Sequence, residues 1–387
     1  MAANPAQFVH DLQVQLTEAI RTTDTAFPTN MALTMTQGEP VLRQLKRQPE
    51  PDDLALVDRL LSEGTPECRI VDVLTDTEHW LRRTAAFGPR SGFEARLASP
   101  RQRSITTTFC YGCYRGPTQT ARSLKDLDRF QVAYVNQRHI TEQKLLEASV
   151  SVINRDNRFL LPKLWGSGQR AAADGTKWDV YEQNLLSEYH LRYGGWGGIG
   201  YYHVSDTSIA LFSSFMACGV WEAVYILDGL LQNRSEIRPD TLHADTQGQS
   251  ETVFGLAYLL AIQLMPRIRH WKDLTRYAPS ERFATEQITH IRELFGDTAD
   301  WSLIHLHLPD RLRVALSISQ GHIRSSTILR KLGTESRKNR LYLAFRALGR
   351  VVRTIFLLRF MNEEELRRTI SAATNMGVWE QRNRKPA

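Results

Sequence analysis

The spacing of hydrophobic residues changes along the chain and divides it into a helical part, a strand-rich part and a second helical part. Over the first 165 residues, apolar positions at helical spacing predict helices over 52–61 and 141–153. Thr75 and Glu78 have the spacing of a capping box, which predicts a helix start there. The polar stretch 97–119 predicts a connection between helices. We therefore interpret residues 1–165 as a mainly helical region.

Residues 166–275 are richer in β-branched and aromatic segments separated by turn residues, a pattern typical of strands. The first three strands follow one another closely, which predicts an antiparallel meander. The predicted elements are, in order, strands over 170–180, 199–204 and 209–216, a helix over 221–231, a strand over 241–246, a helix over 251–265 and a strand over 266–271. This β-β-β-α-β-α-β order is that of the ribonuclease H-like fold, so the predicted class is α/β with a mixed sheet.

Residues 276–360 return to a helical pattern, and we interpret them as a basic helical region before a final helix and tail over 361–387. Apolar residues from Leu341 to Ile355 recur every three or four positions and form one stripe. Arg346, Arg350 and Arg353 have the same spacing on another face. Such a charged stripe is usually the solvated side of a helix, and a phosphate-binding face is the alternative.

The composition is that of an ordinary globular protein, with 42% hydrophobic and 24% charged residues in a chain of 387. This length predicts two or three domains and, with the composition, excludes a wholly disordered or collagen-like chain. The longest apolar stretch, over 253–265, is shorter than the roughly 18 residues that span a bilayer. The start of the chain lacks a signal-peptide pattern, and four cysteines fit a reducing compartment. We expect a cytoplasmic protein without a membrane partner.

The positive charge is concentrated in one segment of the chain. The formal net charge is +7, and the cations are forty arginines and nine lysines. A coding sequence rich in guanine and cytosine explains this ratio as well as function does. Between Arg311 and Arg359, however, twelve cations stand against the single acid Glu335, so the net charge of all other residues is negative. A local excess of this kind is expected of a surface that binds a polyanion such as DNA.

Two aspartates occupy positions that suit a metal ion. Asp174 follows three alanines in the first predicted strand, and Asp245 lies at the end of the fourth. In the predicted topology these strands are neighbours, so we expect both carboxylates to meet at one end of the sheet. Carboxylates from different strands can hold two hard cations about 3.5–4 Å apart, as phosphoryl transfer on DNA requires. A turn or a helix cap is the common alternative role for such an aspartate.

Two other motifs carry less weight. Residues 195–200 match G-x-G-x-x-G, but a dinucleotide-binding loop opens a helix, whereas this one leads into an aromatic strand. We interpret it as a flexible hairpin loop. Cys110 and Cys113 have zinc-knuckle spacing, but no second pair of ligands follows them, and a structural zinc site needs four ligands.

Several sequence blocks resemble the Tn-three family of replicative DNA transposases. The match runs from about Gly88 to Asn375 and includes, in the family's order, GPTQTARSL, YVNQRHITE, LPKLWGSG, ADGTKWD, GGIGYYHVSDT, VYILDGLL, HADTQGQ, LMPRIRHWKDL, STILRKLG and GRVVRTIFLLRF. The resemblance implies a DDE-type nuclease and strand transferase that uses Mg²⁺ or Mn²⁺ on a ribonuclease H-like core. It places the family's first two catalytic, metal-binding aspartates on Asp174 and Asp245, with Asp179 as the alternative for the first.

The family's third carboxylate has no counterpart at the expected position. In the family it belongs to a helical motif of the form T-N-K-x-E, which Thr374 and Asn375 begin here. Val378 stands where the glutamate is expected, and valine does not bind a cation. Glu380 is two residues further on, about 200° around a helix. The family's N-terminal DNA-end-binding modules are missing as well, so we expect a truncated and catalytically impaired chain.

The leading hypothesis is a transposase core that acts on transposon ends and target DNA as a homodimer. His243 and Lys177 are candidates for positioning phosphate. The residues expected to bind DNA without regard to its sequence are Lys177, Arg267, Arg269, Arg346, Arg350 and Arg353. The second hypothesis is a non-catalytic DNA-binding fragment that interferes with an intact transposase. A third is an unrelated small-molecule enzyme, which predicts a deep apolar pocket away from Asp174.

Overall fold

The computed structural model describes residues 4–36, 39–46, 49–93, 97–124, 127–180, 184–191, 194–334 and 339–383, without the side chains of 39, 333, 334 and 376–383. The chain forms two compact units. The first comprises Met1–Lys46, Lys163–Asn233 and Arg238–Arg382, and the second comprises Arg47–Pro162, Arg234–Ile237 and Asn383–Ala387. The domain boundaries at 165, 275 and 360 remain predictions. Among the described residues, no helix combines the length and apolar character needed to cross a membrane.

The helices and strands are numbered in chain order. The helices are α1 Pro5–Ala26, α2 Leu54–Gly64, α3 Ile70–Leu81, α4 Pro100–Gly112, α5 Gly116–Arg122, α6 Arg129–His139, α7 Glu142–Asp156, α8 Leu160–Trp165, α9 Asp228–Gln232, α10 Glu251–Leu259, α11 Glu281–Glu286, α12 Trp301–Leu306, α13 Leu308–Ser319, α14 Ser325–Thr334, α15 Arg340–Asn362 and α16 Glu364–Asn383. The strands are β1 Leu33–Thr36, β2 Glu39–Leu42, β3 Arg170–Asp179, β4 Glu188–His190, β5 Gly195–Ser205, β6 Ala210–Ala217, β7 Thr241–Ala244, β8 Gln263–Pro266, β9 Arg276–Ala278 and β10 Phe295–Thr298.

The second unit is helical, as predicted, but two of its details differ from the prediction. Helix α3 begins at Ile70, so Thr75 and Glu78 are interior residues and form no capping box. The Thr75 hydroxyl donates to the Val71 carbonyl, while the buried Glu78 carboxylate accepts from the amide and hydroxyl of Thr84. The polar stretch 97–119 is also largely helical, since α4 and part of α5 lie in it. Polarity alone did not distinguish an exposed helix from a connection.

A mixed sheet forms the centre of the first unit. Strand β3 pairs antiparallel with β5 and parallel with β7, and β7 pairs parallel with β8. The far edge of β5 pairs antiparallel with β6 and with the short β4. The predicted antiparallel meander is therefore confirmed in β3, β5 and β6, and the predicted strand and helix order is observed with β4 as an addition. Apolar side chains from β3, β5, β7, α10 and α15 form the main core.

Two predicted boundaries in this unit are wrong. The apolar stretch 251–265 contains helix α10 and most of strand β8, separated by a turn at Ala261 with φ of +57°. The last strand therefore lies before the predicted 266–271. Similarly, 221–231 contains a short 3₁₀ turn, Glu222–Tyr225, followed by α9. In 251–265 the buried helix and the buried strand are both continuously apolar, so hydrophobic periodicity does not show where the helix ends and the strand begins.

The glycine-rich segment 195–200 is not a flexible hairpin loop, because it forms the first half of β5. Its glycines serve close packing. A Cβ on Gly197 or Gly198 would overlap the Trp178 carbonyl or the Phe215 ring. A Cβ on Gly200 would lie 2.6 Å from the Trp178 indole nitrogen. Only glycine lets these aromatic side chains cross the strand.

The region predicted to be wholly helical contains helix α15 and also a two-stranded parallel sheet of β9 and β10. The predicted apolar stripe of α15 is confirmed, since Phe345 and Leu348 are fully buried. Helices α10 and α15 cross where Gly255 and Gly349 bring their backbones together. Arg311 is also fully buried and donates to the Ala344 carbonyl at 3.0 Å, so this cation does not belong to a DNA-facing surface.

Candidate functional site

The strand register brings Asp174 and Asp245 to neighbouring positions. Strands β3 and β7 are parallel, and Ala173 and Ala244 are the last paired residues. Each alanine is followed directly by one of the two aspartates, so both carboxylates lie at the same end of the sheet. The two aspartates are neighbours, as expected from the sequence, because the short strand β7 ends beside the middle of β3, directly before Asp174.

Each aspartate also accepts a local backbone hydrogen bond. Asp174 Oδ1 accepts from the amide of Gly175 at 2.8 Å. Asp245 Oδ1 accepts from the amide of Gln247 at 3.1 Å and caps the 3₁₀ turn Thr246–Gln249. Asp245 therefore has the capping role that was the alternative to a metal ligand, and it has this role while lying beside Asp174.

The environment disfavours negative charge on both aspartates. Burial raises the pKa of Asp174 to about 6, the Gly175 amide opposes this rise, and the charge of Asp245 adds to it. Burial also raises the pKa of Asp245, against a lowering by the Gln247 amide. A divalent cation would stabilise both carboxylates, and carboxylate oxygens suit Mg²⁺ or Mn²⁺. In the described part of the chain, no three His, Cys, Asp or Glu side chains are close enough to hold a metal ion together.

Two further residues lie beside the aspartates and were not singled out from the sequence. Glu222 begins the 3₁₀ turn after β6, and a Cβ on Gly175 would lie 2.5 Å from its Oε2. Tyr201 is the strand partner of Gly175 and is 1% exposed. Its hydroxyl is buried and has no hydrogen-bond partner among the described residues. No motif spacing marks either residue, because only the sheet register brings them to Gly175.

The alternative first aspartate lies elsewhere. Asp179 is five residues beyond Asp174 on β3, roughly 16 Å along the strand. It is exposed, and its carboxylate pairs with the Lys177 ammonium at 2.7 Å. His243 is buried, and burial together with the charge of Arg170 lowers its pKa to about 4. Near neutral pH it is therefore an uncharged side chain.

The three arginines of α15 converge on one carboxylate. Glu251 Oε2 accepts from Arg346 Nε at 2.9 Å and from Arg350 Nε at 3.2 Å. Its other oxygen accepts from Arg353 at 2.8 Å. Arg353 is buried, whereas Arg346 and Arg350 are about one-third exposed. Three guanidinium groups around one carboxylate leave a positive charge at the start of α10, and a phosphate bound there would compete with Glu251.

Arg267 and Arg269 lie at the same sheet edge as the aspartates. Strand β8 ends at Pro266, the partner of Ala244, and the Arg267 amide donates to the Ala244 carbonyl at 2.8 Å. Both arginine side chains are exposed. The Arg269 amide donates to Gln249 Oε1 at 3.3 Å, which holds this segment against the turn that follows Asp245. Two exposed cations thus follow β8, the strand next to the one that ends at Asp245.

The positions of the family's third carboxylate lie in α16, which continues as a helix to Asn383. Val378 and Glu380 are therefore on different helix faces, about 200° apart. Their side chains lie outside the described residues. Cys110 and Cys113 are free thiols, and Cys110 is buried.

Comparison with known proteins identifies the family. A family model described as Tn3 transposase DDE domain matches residues 72–385. The chain belongs to this family. The resemblance of its sequence blocks to these transposases is thereby confirmed, and family membership favours the two transposase hypotheses over an unrelated small-molecule enzyme.

The Tn3-family relatives are much longer than this chain. The transposase for transposon Tn501 of Pseudomonas aeruginosa is 30% identical over 328 residues, which cover 84% of this chain and 32% of that protein. The Tn21 transposase of Escherichia coli is 29% identical over 326 residues, with the same two shares. The gamma-delta transposase of Escherichia coli K12 is 25% identical over 338 residues, or 86% of this chain and 33% of that protein. The chain spans about a third of the length of these relatives.

Proposed function

We propose that this chain is the catalytic part of a Tn3-family transposase, which cleaves DNA phosphodiester bonds and joins DNA strands with Asp174 and Asp245 as metal ligands. The observation that carries the proposal is the parallel register of β3 and β7, with the paired Ala173 and Ala244 each followed by an aspartate. The further parts of the proposal are action on transposon ends and target DNA, a homodimer on DNA, and a cytoplasmic location.

The strand order supports a ribonuclease H-like core. Read across the sheet, the order is β6, β5, β3, β7 and β8, with antiparallel pairing on one side of β3 and parallel pairing on the other. The order along the chain is the β-β-β-α-β-α-β order of that fold, apart from the short β4. In this sheet the end of β7 lies beside Asp174 in the middle of β3.

The donor set fits a divalent cation. Asp174 and Asp245 offer carboxylate oxygens whose protonated forms are favoured by burial, so binding of a cation replaces an unfavourable arrangement of like charges. Bound Mg²⁺ or Mn²⁺ ions would activate the attacking oxygen and stabilise the leaving oxygen. The backbone amides of Gly175 and Gln247 orient the two carboxylates through their hydrogen bonds.

The cations near the aspartates support binding to the DNA backbone. Arg267 and Arg269 are exposed at the sheet edge, and Arg346 and Arg350 are partly exposed beside the start of α10. Lys177 is part of the proposal too, together with Arg353, although the buried Arg353 would act through the Glu251 network. Contacts of this kind depend on phosphate charge and are insensitive to base sequence.

Val378 at the glutamate position of the family motif supports a catalytic defect. The second candidate function, a non-catalytic DNA-binding fragment that interferes with an intact transposase, rests on the same observation. The two differ in whether the aspartate pair retains any metal-dependent chemistry.

A nicking assay separates the two functions. The chain, Val378→Glu and the double variant Asp174→Asn with Val378→Glu are incubated with transposon-end DNA and Mn²⁺, and Asp179→Asn is the matched control. We expect the unchanged chain to nick slowly and Val378→Glu to nick faster. Asp179→Asn should nick at the same rate as the unchanged chain. Adding Asp174→Asn should abolish the gain. DNA binding without nicking in every variant would establish the non-catalytic function instead.

A further inference from the structure

The terminal nitrogens of Arg346 and Arg350 are unused donors in the arginine cluster of α15. Each of these two guanidinium groups contacts Glu251 Oε2 through its Nε atom, at 2.9 and 3.2 Å. Their Nη atoms have no hydrogen-bond partner among the described residues. Both side chains are about one-third exposed, and these Nη atoms are open to solvent. A ligand that binds to them can therefore leave Glu251 in place.

Each of the two guanidinium groups also lies over an aromatic ring. Arg346 Cζ is 5.6 Å from the centre of the Tyr342 ring, and Arg350 Cζ is 4.9 Å from the centre of the Tyr277 ring. A contact of this kind attracts the cation without using its N–H groups. Tyr277 is itself buried, and its amide donates to the Thr354 hydroxyl at 3.1 Å. The carboxylate and the two rings thus hold both arginines in place before any ligand binds.

The spacing and the charge of the two guanidinium groups suit one phosphate group. Because both Nε atoms lie within 3.2 Å of the same Glu251 oxygen, they are at most about 6 Å apart. A phosphate whose oxygens accept charge-assisted hydrogen bonds of about 2.8 Å fits between two guanidinium groups at this separation. The ion pairs of Arg346, Arg350 and Arg353 all go to Glu251, so three positive charges share one negative charge. An added anion would reduce this local excess of positive charge.

The arginine cluster lies near the candidate metal site. Glu251 follows Asp245 by six residues, and even a fully extended segment of this length spans only about 20 Å. Arg353 Nη1 donates to the Gln249 carbonyl at 3.2 Å, so the cluster also contacts the turn that Asp245 caps. A DNA strand carries one phosphate for about every 3.4 Å of helix axis. A strand with one phosphate at the aspartates therefore has another phosphate within reach of the cluster.

We propose that Arg346 and Arg350 form a clamp for a single phosphate group of the DNA strand that enters the candidate metal site. Glu251 contacts both arginines and anchors them. The inference rests on the proposed function and deepens it, because it assigns one shared phosphate to two cations in place of independent contacts. The donors are the Nη atoms that Glu251 leaves unused. Arginine is needed at both positions, since lysine keeps the charge but replaces the planar fork with a single ammonium group.

Binding of inorganic phosphate in the presence of a chelator tests the clamp without metal or DNA. The full chain, the double variant Arg346→Lys with Arg350→Lys, and Arg359→Lys are compared by isothermal titration calorimetry at constant ionic strength. We expect millimolar binding by the unchanged chain and at least a tenfold loss in the double variant, whose net charge is the same. Arg359→Lys is the matched control and should bind phosphate as tightly as the unchanged chain. Arg359 lies on the same helix, but its Nε and Nη2 atoms both donate to Glu363.

Thermal unfolding verifies that each variant is folded. If the double variant does not fold, Arg350→Lys alone replaces it, with an expected loss of about threefold or more. The clamp is overturned if the unchanged chain binds no phosphate, or if the lysine variants bind it as tightly as the unchanged chain.

A competition experiment distinguishes a phosphate of the DNA backbone from free phosphate as the ligand. A labelled duplex is bound to the chain, and inorganic phosphate or sodium chloride is added at equal ionic strength while fluorescence anisotropy is followed. Phosphate should displace the duplex from the unchanged chain more strongly than chloride does, and this difference should vanish in the double variant. If the unchanged chain binds phosphate but both salts displace the duplex equally, the site takes free phosphate and the inference is wrong.

The outcomes also separate the clamp from the proposed function. The phosphate experiments need no metal, whereas nicking depends on Asp174. If nicking depends on Asp174 but the double variant binds phosphate and DNA as tightly as the unchanged chain, only the inference fails. If no variant nicks DNA and the phosphate experiments give the expected results, the proposed catalysis fails and the clamp belongs to a non-catalytic DNA-binding fragment.

Discussion

The Glu251 carboxylate accepts a hydrogen bond from Arg353 at 2.8 Å, and this pair joins the start of α10 to the middle of α15. Arg346 and Arg350 approach the other oxygen of the same carboxylate. Because α10 begins shortly after Asp245, the network also fixes the helix next to the candidate metal site. The arginine stripe of α15, which the sequence suggested was a solvated or phosphate-binding face, is thus partly buried and stabilises the packing of α10 against α15.

Replacement of Glu251 by glutamine should destabilise the first unit. It leaves three arginines without their counter-charge, and breaking a buried ion pair costs about 3 kcal/mol or more. Although burial raises the pKa of Glu251, Arg353, Arg346 and Arg350 outweigh it and the net pKa is lowered. The stability that this charge supplies is therefore present at pH 7 and is lost as the pH falls through the lowered pKa. Urea unfolding at several pH values measures both effects.

The matched control for this change is Glu363→Gln. Glu363, the residue directly after α15, pairs with Arg359 at 2.9 Å, and both side chains are nearly half exposed. An exposed pair contributes at most about 1 kcal/mol. If Glu251→Gln and Glu363→Gln lost equal amounts of unfolding free energy, a supporting role for the Glu251 network would be contradicted.

Replacement of Gly349 by alanine should also destabilise the first unit, although alanine favours a helix over glycine by about 1 kcal/mol. A Cβ on Gly349 would overlap the Glu251 carbonyl at the crossing of α10 and α15. Overpacking of this kind costs about 1–3 kcal/mol. Thermal unfolding should show a lower transition temperature. Gly296→Ala, whose Cβ would meet only Thr275 at 3.4 Å, should have no such effect.

Acid should destabilise the fold through His203. Burial lowers the pKa of this side chain to about 4, although its hydrogen bond to Ile226 and the charge of Asp228 oppose the shift. Between about pH 6.5 and pH 4 the unfolded chain binds a proton here that the folded chain does not. The free energy of unfolding therefore decreases as the pH is lowered through this window, by up to about 1.4 kcal/mol per pH unit.

His203→Gln isolates this effect. Glutamine can still donate to the Ile226 carbonyl, which accepts from His203 Nε2 at 2.8 Å, but it does not titrate. Its stability relative to the unchanged chain should improve as the pH is lowered from 7 to 4. Parallel stability curves for the two proteins over this range would show that His203 does not titrate as expected.

Asp174→Asn should stabilise the chain at pH 7 in the presence of a chelator while removing metal binding. The charge of Asp174 is held in a buried place beside Asp245, which is why its pKa is raised to about 6. Eliminating that charge should raise the melting temperature by a few degrees. Asp179→Asn should give no gain, because Asp179 is exposed and paired with Lys177. A lower melting temperature in Asp174→Asn would mean that the fold stabilises the charged carboxylate of Asp174 instead of destabilising it.

Arg267→Ala and Arg269→Ala should each weaken DNA binding equally for all sequences. Each substitution should also reduce the dependence of the logarithm of the affinity on the logarithm of the salt concentration by about one. Arg313→Ala is the control, since Arg313 is exposed but its guanidinium already pairs with the Asp310 carboxylate at 3.4 Å. Fluorescence anisotropy with a labelled duplex at several salt concentrations measures both quantities. Unchanged slopes would remove these two residues from the DNA-binding surface.

Local patterns in the sequence predicted the central strands and helices of the first unit, but they did not predict the ends of these elements and they missed β4, β9 and β10. The three-strand meander follows from β-branched and aromatic segments separated by turn residues, the apolar stripe of α15 follows from helical spacing, and both are observed. The patterns failed at residues 195–200, where glycines suggested a loop. In the structure those glycines make room for Trp178 and Phe215, whose approach depends on pairing with β3 and β6.

The candidate site divides in the same way. The sequence alone determined the residue types and the order of the central elements, and this order, with the resemblance to the family, predicted that Asp174 and Asp245 lie on neighbouring strands. Only the tertiary structure decided that Glu222 and Tyr201 meet at Gly175 and that the arginines of α15 turn toward Glu251. Those contacts join segments far apart in the chain. They depend on the register of the sheet and on the crossing of helices, which are set by tertiary packing. Neither produces a periodic pattern in the local sequence, so these contacts could not be predicted from it.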